Sequence, residues 1–161
     1  MYRFLQVATL VLVAVAMALS LAHTLELPGK MRLGKDTYLA VQQIYYPGFT
    51  IGGAAEPLGV LALLVLVGLT PSGTARFWWT LAALLLLAST HLTYWFVTHP
   101  VNSVWTKNVE LSGISAAFFS LFASEVTGDW SQLRNIWECS HVARAILSML
   151  SLVALTIGLT T

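Results

Sequence analysis

Near the end of the chain, Glu138-x-x-His141-x-x-Arg144 sets a carboxylate, an imidazole and a guanidinium one helical turn apart, with Trp137 beside them. Arg134, Glu138, His141 and Ala145, spaced 4, 3 and 4, form one helical stripe flanked by Trp137 and Arg144, and these groups offer a general base, a counter-charge and a cation to stabilise a developing oxyanion. His91, Trp95 and His99 repeat every fourth residue with Asn102 close in projection, and His23 and Glu26 are one turn apart. Two chemistries fit. In the first, His141 or His99 removes a proton and Arg144 or Lys30 stabilises the anion that results. In the second, Glu138-x-x-His141 has the spacing with which di-metal bundles place two ligands on one face. The reversed pair His23-x-x-Glu26 and His99 then give five candidate ligands on three helices for Fe or Cu, as a di-metal site or as a single Cu, Fe or Zn site of two or three histidines with a carboxylate. Without a metal, Glu138 pairs with Arg134 or Arg144 instead.

These residues are carried by an unusually apolar chain. With 57% hydrophobic and 9% charged residues and a mean hydropathy of +0.77, its composition falls outside the soluble range and predicts an integral membrane protein. At roughly 20 apolar residues per crossing, 161 residues allow about four spans in one domain, 1–161. A net charge of +1 gives no argument for nucleic acid, and the single Cys139 excludes an internal disulfide.

The spans read as Phe4–Ala22, Ile51–Leu69, Phe77–Thr98 and Asn135–Leu159. The first is longer than the roughly 7 to 15 residues of a signal core, so it reads as a retained helix. The second is expected to bend at Pro57 and the third to stop at His99-Pro100. Two connections fall on one side of an up-down bundle. Residues 36–46, with Asp36 as the expected N-cap, and 109–123, "ELSGISAAFFSLF" at its centre, predict short amphipathic helices that cap that face, as a plain cover or as a lid. The expected fold is all-α, an up-down four-helix membrane bundle with two such caps.

In that topology the polar ends of all four spans meet at one face. His23, Glu26, Glu56, His91, His99, Arg134, Glu138, His141 and Arg144 gather there, all four histidines among them, against Arg3 and Arg76 at the other end. Charged groups within spans are costly, so such a gathering predicts a pocket. Tyr38, Tyr45, Trp95, Trp105 and Trp137 supply flat faces for a ring, or else an interfacial belt. Lys30, Arg32, Lys35, Lys107 and Arg134 put the site end on the cytoplasmic side by the positive-inside rule.

The stretches "AHTLELPGKMRL", "VQQIY", "HPVNSVW" and "WSQLRNIWECSHVAR", in this order, resemble the anthrone oxygenase-like family of small four-span membrane proteins, which includes many bacterial members of unknown function. His99-Pro100-Val101-Asn102 and the Trp137 to Arg144 run are the most specific parts. The stretch Asn108 to Asp129 is longer and more apolar than that pattern. The resemblance implies a multi-pass membrane oxygenase, of the inner membrane in a bacterium, acting on a lipophilic aromatic substrate, anthrone-like or of the polyketide type, with dioxygen as co-substrate: a histidine removes a carbon-bound proton and the enolate, held by Arg144 or Lys30, reacts with dioxygen without an organic cofactor. On matching positions it implies His23, Glu26, His99, Asn102, Trp137, Glu138, His141 and Arg144 as site residues. Lys30, Tyr45 and Trp95 join them as candidate substrate contacts from the residue reading. A non-catalytic module that binds a quinone, a lipid or a partner helix uses the same cavity. Gly52, Gly53 and Gly59 allow close helix packing, with a second copy in a homo-oligomer included, and Glu56 has no evident partner in the sequence.

Overall fold

Small and hydroxylated residues repeat along one face of the last long helix: Ala145, Ser148, Ser151, Ala154 and Gly158 are all buried. That stripe lets a neighbouring helix approach closely, which is how helices associate when lipid is as apolar as their side chains. The computed structural model describes residues 1–107, 111, 113–122 and 126–161. Its helices are α1 (Tyr2–Lys30), α2 (Lys35–Gln42), α3 (Gly48–Gly53), α4 (Ala55–Leu69), α5 (Ala75–Thr93), α6 (His99–Thr106), α7 (Gly113–Leu121) and α8 (Trp130–Thr160). No strand occurs among the described residues. Helices α1 and α5 each pack on both α4 and α8, which closes an up-down four-helix bundle. Its core joins Val13, Leu63, Leu66, Ala83, Leu87 and Leu155, and Ser151 Oγ donates to the Ala83 carbonyl across the α5–α8 seam at 2.8 Å.

Four helical segments are long and apolar enough to cross a membrane: Tyr2–Lys30, Gly48–Leu69, Ala75–Thr106 and Trp130–Thr160. Their outer faces are apolar and exposed, as with Val7, Val11 and Val15 on α1 or Ile146, Leu150 and Val153 on α8. Exposed apolar surface on this scale marks contact with a membrane or another protein. The 29 residues of α1 and 31 of α8 rise to roughly 43 and 46 Å, against roughly 30 Å of bilayer hydrocarbon. Several turns of each therefore extend beyond the apolar slab when the helix crosses it.

The prolines act differently from expectation. The second span opens as α3 and breaks at Ala54, not at Pro57, because Pro57 has no N–H for the Gly53 carbonyl and its ring crowds that group. The third span does not stop at His99-Pro100. Pro100 leaves the Phe96 carbonyl without its donor, and the chain widens into a π turn, Tyr94–Thr98, with the His99 N–H bonded to the Tyr94 carbonyl, before continuing as α6. Helix α1 runs two turns past Ala22, through Pro28, so His23, Glu26 and Lys30 lie on regular helix. Helix α8 starts at Trp130, where the Asp129 carboxylate accepts from Ser131 N–H.

Both predicted caps form. Gly34, not Asp36, is the N-cap of α2, and a 3-10 turn, Gln43–Tyr45, follows it; Asp36 sits in the first turn. Of the second cap, Gly113–Leu121 is helical, while residues 108–110, 112 and 123–125 lie outside the described residues. The glycines serve packing within the chain: a methyl group at Gly59 would meet Leu87 Cδ2 at 3.0 Å, and one at Gly52 would meet Leu19 Cδ1 at 3.0 Å. At Gly53 nothing lies within 4 Å.

Gly158 tests the seam. A Cβ there meets Trp79 Cβ at 3.1 Å and Thr80 N at 3.4 Å, neither of which can swing away, whereas Gly68 faces open space. Gly158→Val is expected to lose about 1 to 3 kcal/mol by overpacking, read as the unfolding midpoint in detergent, and Gly68→Val to shift it little.

Candidate functional site

Helical phase decides which side chains face inward at the polar end. On α1, Ala16, Ser20 and His23 follow one stripe, and on α8 Trp137, His141 and Arg144 follow another. These two stripes form the polar wall of a cavity of about 350 Å3. Glu56 and Pro57 of α4, then His91, Tyr94 and Trp95, and Asn102 of α6 continue the wall. The cover is aromatic, with Tyr45, Tyr46 and Phe49 on one side and Phe118 and Phe119 of α7 on the other. A second hollow, of about 430 Å3 at the opposite end between Tyr2, Thr70 and Arg76, is lined by no histidine and no carboxylate side chain.

A buried ion pair fixes the deeper half of the wall. Arg144 Nη2 donates to Glu56 Oε2 at 2.8 Å, and Glu56 Oε1 lies 3.0 Å from His91 Nδ1. Glu56 is therefore paired twice, where the sequence offered it no partner. Trp95 Nε1–H donates to His91 Nε2 at 2.9 Å, so that nitrogen accepts and the proton of a neutral His91 sits on Nδ1, facing Glu56. Both ring nitrogens of His91 are thereby committed.

The same logic separates the other histidines. Arg144 Nη1 lies 3.4 Å from His141 Nδ1; a guanidinium only donates, so Nδ1 accepts and Nε2 carries the proton. His141 Nε2 is buried without a protein partner. His23 stacks beside it, ring centroids 4.2 Å apart, and against Trp137 at 4.9 Å. Its buried Nδ1 has no hydrogen-bond partner and lies 3.8 Å from Glu26 Oε2; with the proton on Nδ1, on the side of that carboxylate, Nε2 is the basic atom. His141 is thus set up as a donor and His23 as the acceptor.

Above the cavity lies a second charge network. Lys30, 4% exposed, bridges the two carboxylates, 3.2 Å from Glu138 Oε1 and 3.4 Å from Glu26 Oε2, and its ammonium lies 4.5 Å from the Trp137 ring centroid. Tyr38 donates to Glu138 at 2.8 Å, and Tyr45 donates to Glu26. Glu138 therefore pairs with Lys30, not with Arg134 or Arg144. Arg134 turns outward, its guanidinium 5.0 Å from the Trp130 ring centroid. Trp137 Nε1–H donates to Asn102 Oδ1 at 2.6 Å, which turns the Asn102 amide nitrogen away from that bond. Burial, followed by the nearby Glu138 carboxylate, pushes the Tyr38 phenol up; burial and then the Glu26 hydrogen bond do the same to Tyr45.

Of the predicted site residues, His23, Tyr45, Trp95, Asn102, Trp137, His141 and Arg144 share the cavity wall. Glu26, Lys30 and Glu138 stand behind it in the charge network. His99 lies beside the cavity: its Nε2–H donates to the Phe122 carbonyl, its Nδ1 accepts from Tyr94 O–H at 3.3 Å, and its ring stacks on Phe119 at 5.7 Å. It tethers α7 and has no free nitrogen. No family model, curated protein or solved structure matches this chain.

The five-ligand metal set does not assemble. His99 is engaged elsewhere, Lys30 occupies the space between the two carboxylates, and Arg144 faces His141 Nδ1. Among the described residues no three His, Cys, Asp or Glu side chains group as metal ligands. This donor set, with two cations inside it, does not fit Fe or Cu. Two wall features escaped the sequence reading: Ser20, one turn before His23 on the same face, and the Glu56–His91–Trp95 chain, whose members were visible but not their contacts.

Two outcomes follow from these contacts. Glu56→Ala strands a largely buried guanidinium and should cost roughly 3 to 5 kcal/mol, part of which Arg144→Met in the same chain should restore; unfolding in detergent reads both. For the phenols the folded-state shift is upward from the ordinary 10.0, so their contribution is intact below pH 10 and is lost as pH rises above it. Alkaline unfolding midpoints should fall less steeply in Tyr38→Phe than in the parent chain.

Proposed function

We propose that the protein is a multi-pass membrane oxygenase that oxidises a lipophilic aromatic substrate, anthrone-like or of the polyketide type, with dioxygen and no organic cofactor. The observation that carries the reading is the division of labour in the cavity wall: a histidine set up to accept, His23, against a histidine and a guanidinium set up to donate, His141 and Arg144, under an aromatic cover. A volume of about 350 Å3 falls within the roughly 300 to 1,000 Å3 of small-molecule sites.

The chemistry follows from these roles. A ring methylene conjugated to a ketone is acidic, and His23 Nε2 takes its first proton. His141 Nε2–H and Arg144 lie where the enolate oxygen gains charge, and a dry site strengthens that stabilisation. The enolate carbon then bonds to dioxygen. Loss of the second carbon-bound proton and of one oxygen as water leaves a carbonyl, so the methylene and dioxygen become a ketone and water, with the proton on His23 returned to the departing oxygen. Tyr45, Trp95 and Trp137 flank the ring, and Asn102 orients Trp137. Glu138, Glu26 and Lys30 act through Trp137 and Tyr45, and His99 through the aromatic cover. We place the polar end on the cytoplasmic side, the inner membrane in a bacterium, since Arg32, Lys35 and Lys107 are exposed there.

Protein in nanodiscs should consume dioxygen and form quinone absorbance with anthrone, and prior chelation should leave the rate unchanged. His23→Ala is expected to lower kcat by about 10² to 10⁴ and His141→Ala by about 10² to 10³, with His99→Ala affecting kcat least. Anthrone binding with no oxygen uptake would point to the non-catalytic quinone- or lipid-binding module; activity that tracks a stoichiometric metal would overturn the metal-free scheme.

A further inference from the structure

Within the helices of this protein, hydroxyls usually satisfy themselves. Thr9, Thr80, Ser89, Thr90, Thr93 and Ser148 each donate to the carbonyl one turn back on their own helix. That bond is the inexpensive solution for a hydroxyl in an apolar span, because water is not there to replace it. Ser20 departs from it. Its Oγ is fully buried and has no hydrogen-bond partner in the protein, and the residue lines the cavity, one turn from His23. Its neighbour on the same face, Ala16, shows that a plain methyl suffices for packing at this wall. An unpaired buried hydroxyl is a cost to the fold and a contact for a ligand.

We propose that Ser20 is a ligand-recognition residue of the cavity, and that its ligand carries a hydroxyl substituent on the ring edge that meets α1. This rests on the reading of the cavity as an aromatic-ligand site. It adds a specificity contact to the donors His141 and Arg144. A site that hydrogen-bonds a substituent discriminates against analogues that lack it, because the protein group is then left unpaired. Ring systems without the oxygen at that edge enter the same space but bind less tightly.

Two measurements decide it. Binding of anthraquinone and of 2-hydroxyanthraquinone to the full chain in nanodiscs is followed by quenching of tryptophan emission. The wild-type protein is expected to prefer the hydroxylated probe by roughly tenfold, the worth of one hydrogen bond. Ser20→Ala should lose that preference while keeping its affinity for anthraquinone, and Ser20→Thr should retain it. Separately, Ser20→Ala should raise the unfolding midpoint of the ligand-free protein, since it removes an unpaired group, whereas Ser148→Ala, which removes a satisfied hydroxyl, should not. A preference that survives in Ser20→Ala, or a lowered midpoint for that variant, overturns the role of Ser20 while leaving the cavity reading intact. If neither probe binds the wild type, the cavity reading falls and the proposal falls with it.

Discussion

The interaction on which the rest depends is the pair between Arg144 and Glu56. A guanidinium keeps its charge at any ordinary pH, so an arginine in the wall of a bundle must be met by an anion that reaches it. Glu56 reaches it from α4, across the bundle, and uses both oxygens: one for Arg144, one for His91. The pair therefore connects three of the four long helices at one level. It also determines protonation at a distance, since the arginine dictates which nitrogen of His141 accepts and the glutamate dictates which nitrogen of His91 donates. The catalytic reading of the histidines is a consequence of this electrostatic frame more than of their own positions.

A second frame, Lys30 with Glu138 and Glu26, lies toward the end of the bundle, and the His23 and His141 rings lie between the two, His23 beside Glu26 and His141 beside Arg144. Each frame brings opposite charges into contact, and this is how an apolar assembly tolerates so many ionisable groups. Trp137 links the frames: its ring meets Lys30 and His141, and its N–H is fixed by Asn102. Among the described residues the aromatic cover is held by Tyr45 donating to Glu26, by Ser115 donating to Thr50 and by His99 donating to the Phe122 carbonyl.

Much of this was legible in the sequence, for identifiable reasons. Runs of apolar residues at membrane length fixed four long helices, and the convergence of their polar ends followed from chain direction alone. The period of α8 read as a stripe of Arg134, Glu138, His141 and Ala145 flanked by Trp137 and Arg144, whereas the cavity face is Trp137, His141 and Arg144, with Glu138 behind it on Lys30 and Arg134 on Trp130. Partner choice was not legible. Glu138 has two arginines within helical reach, Arg134 and Arg144, yet pairs with a lysine from α1, because α1 continues through Pro28 long enough to deliver Lys30. A proline near a helix end reads as a stop in one dimension and is absorbed in three. Ser20 was invisible for a related reason: a serine in an apolar span is ordinary, and only the missing partner of its buried hydroxyl distinguishes it.

The π turn at Tyr94–Thr98 has a consequence for how this chain tolerates insertions and deletions. Each residue added to or taken from an α-helix rotates everything beyond it by about 100°. The wide turn holds one residue more than an α-helical turn, with the His99 N–H donating to the Tyr94 carbonyl five positions back. Loss of a single residue there would leave His91 and its bond to Glu56 in place but swing His99 away from the Phe122 carbonyl. The length of this span, counted to the residue, is thus a determinant of whether the aromatic cover stays attached, and chains of nearly identical composition that differ by one position in this turn would differ in how open the cavity is.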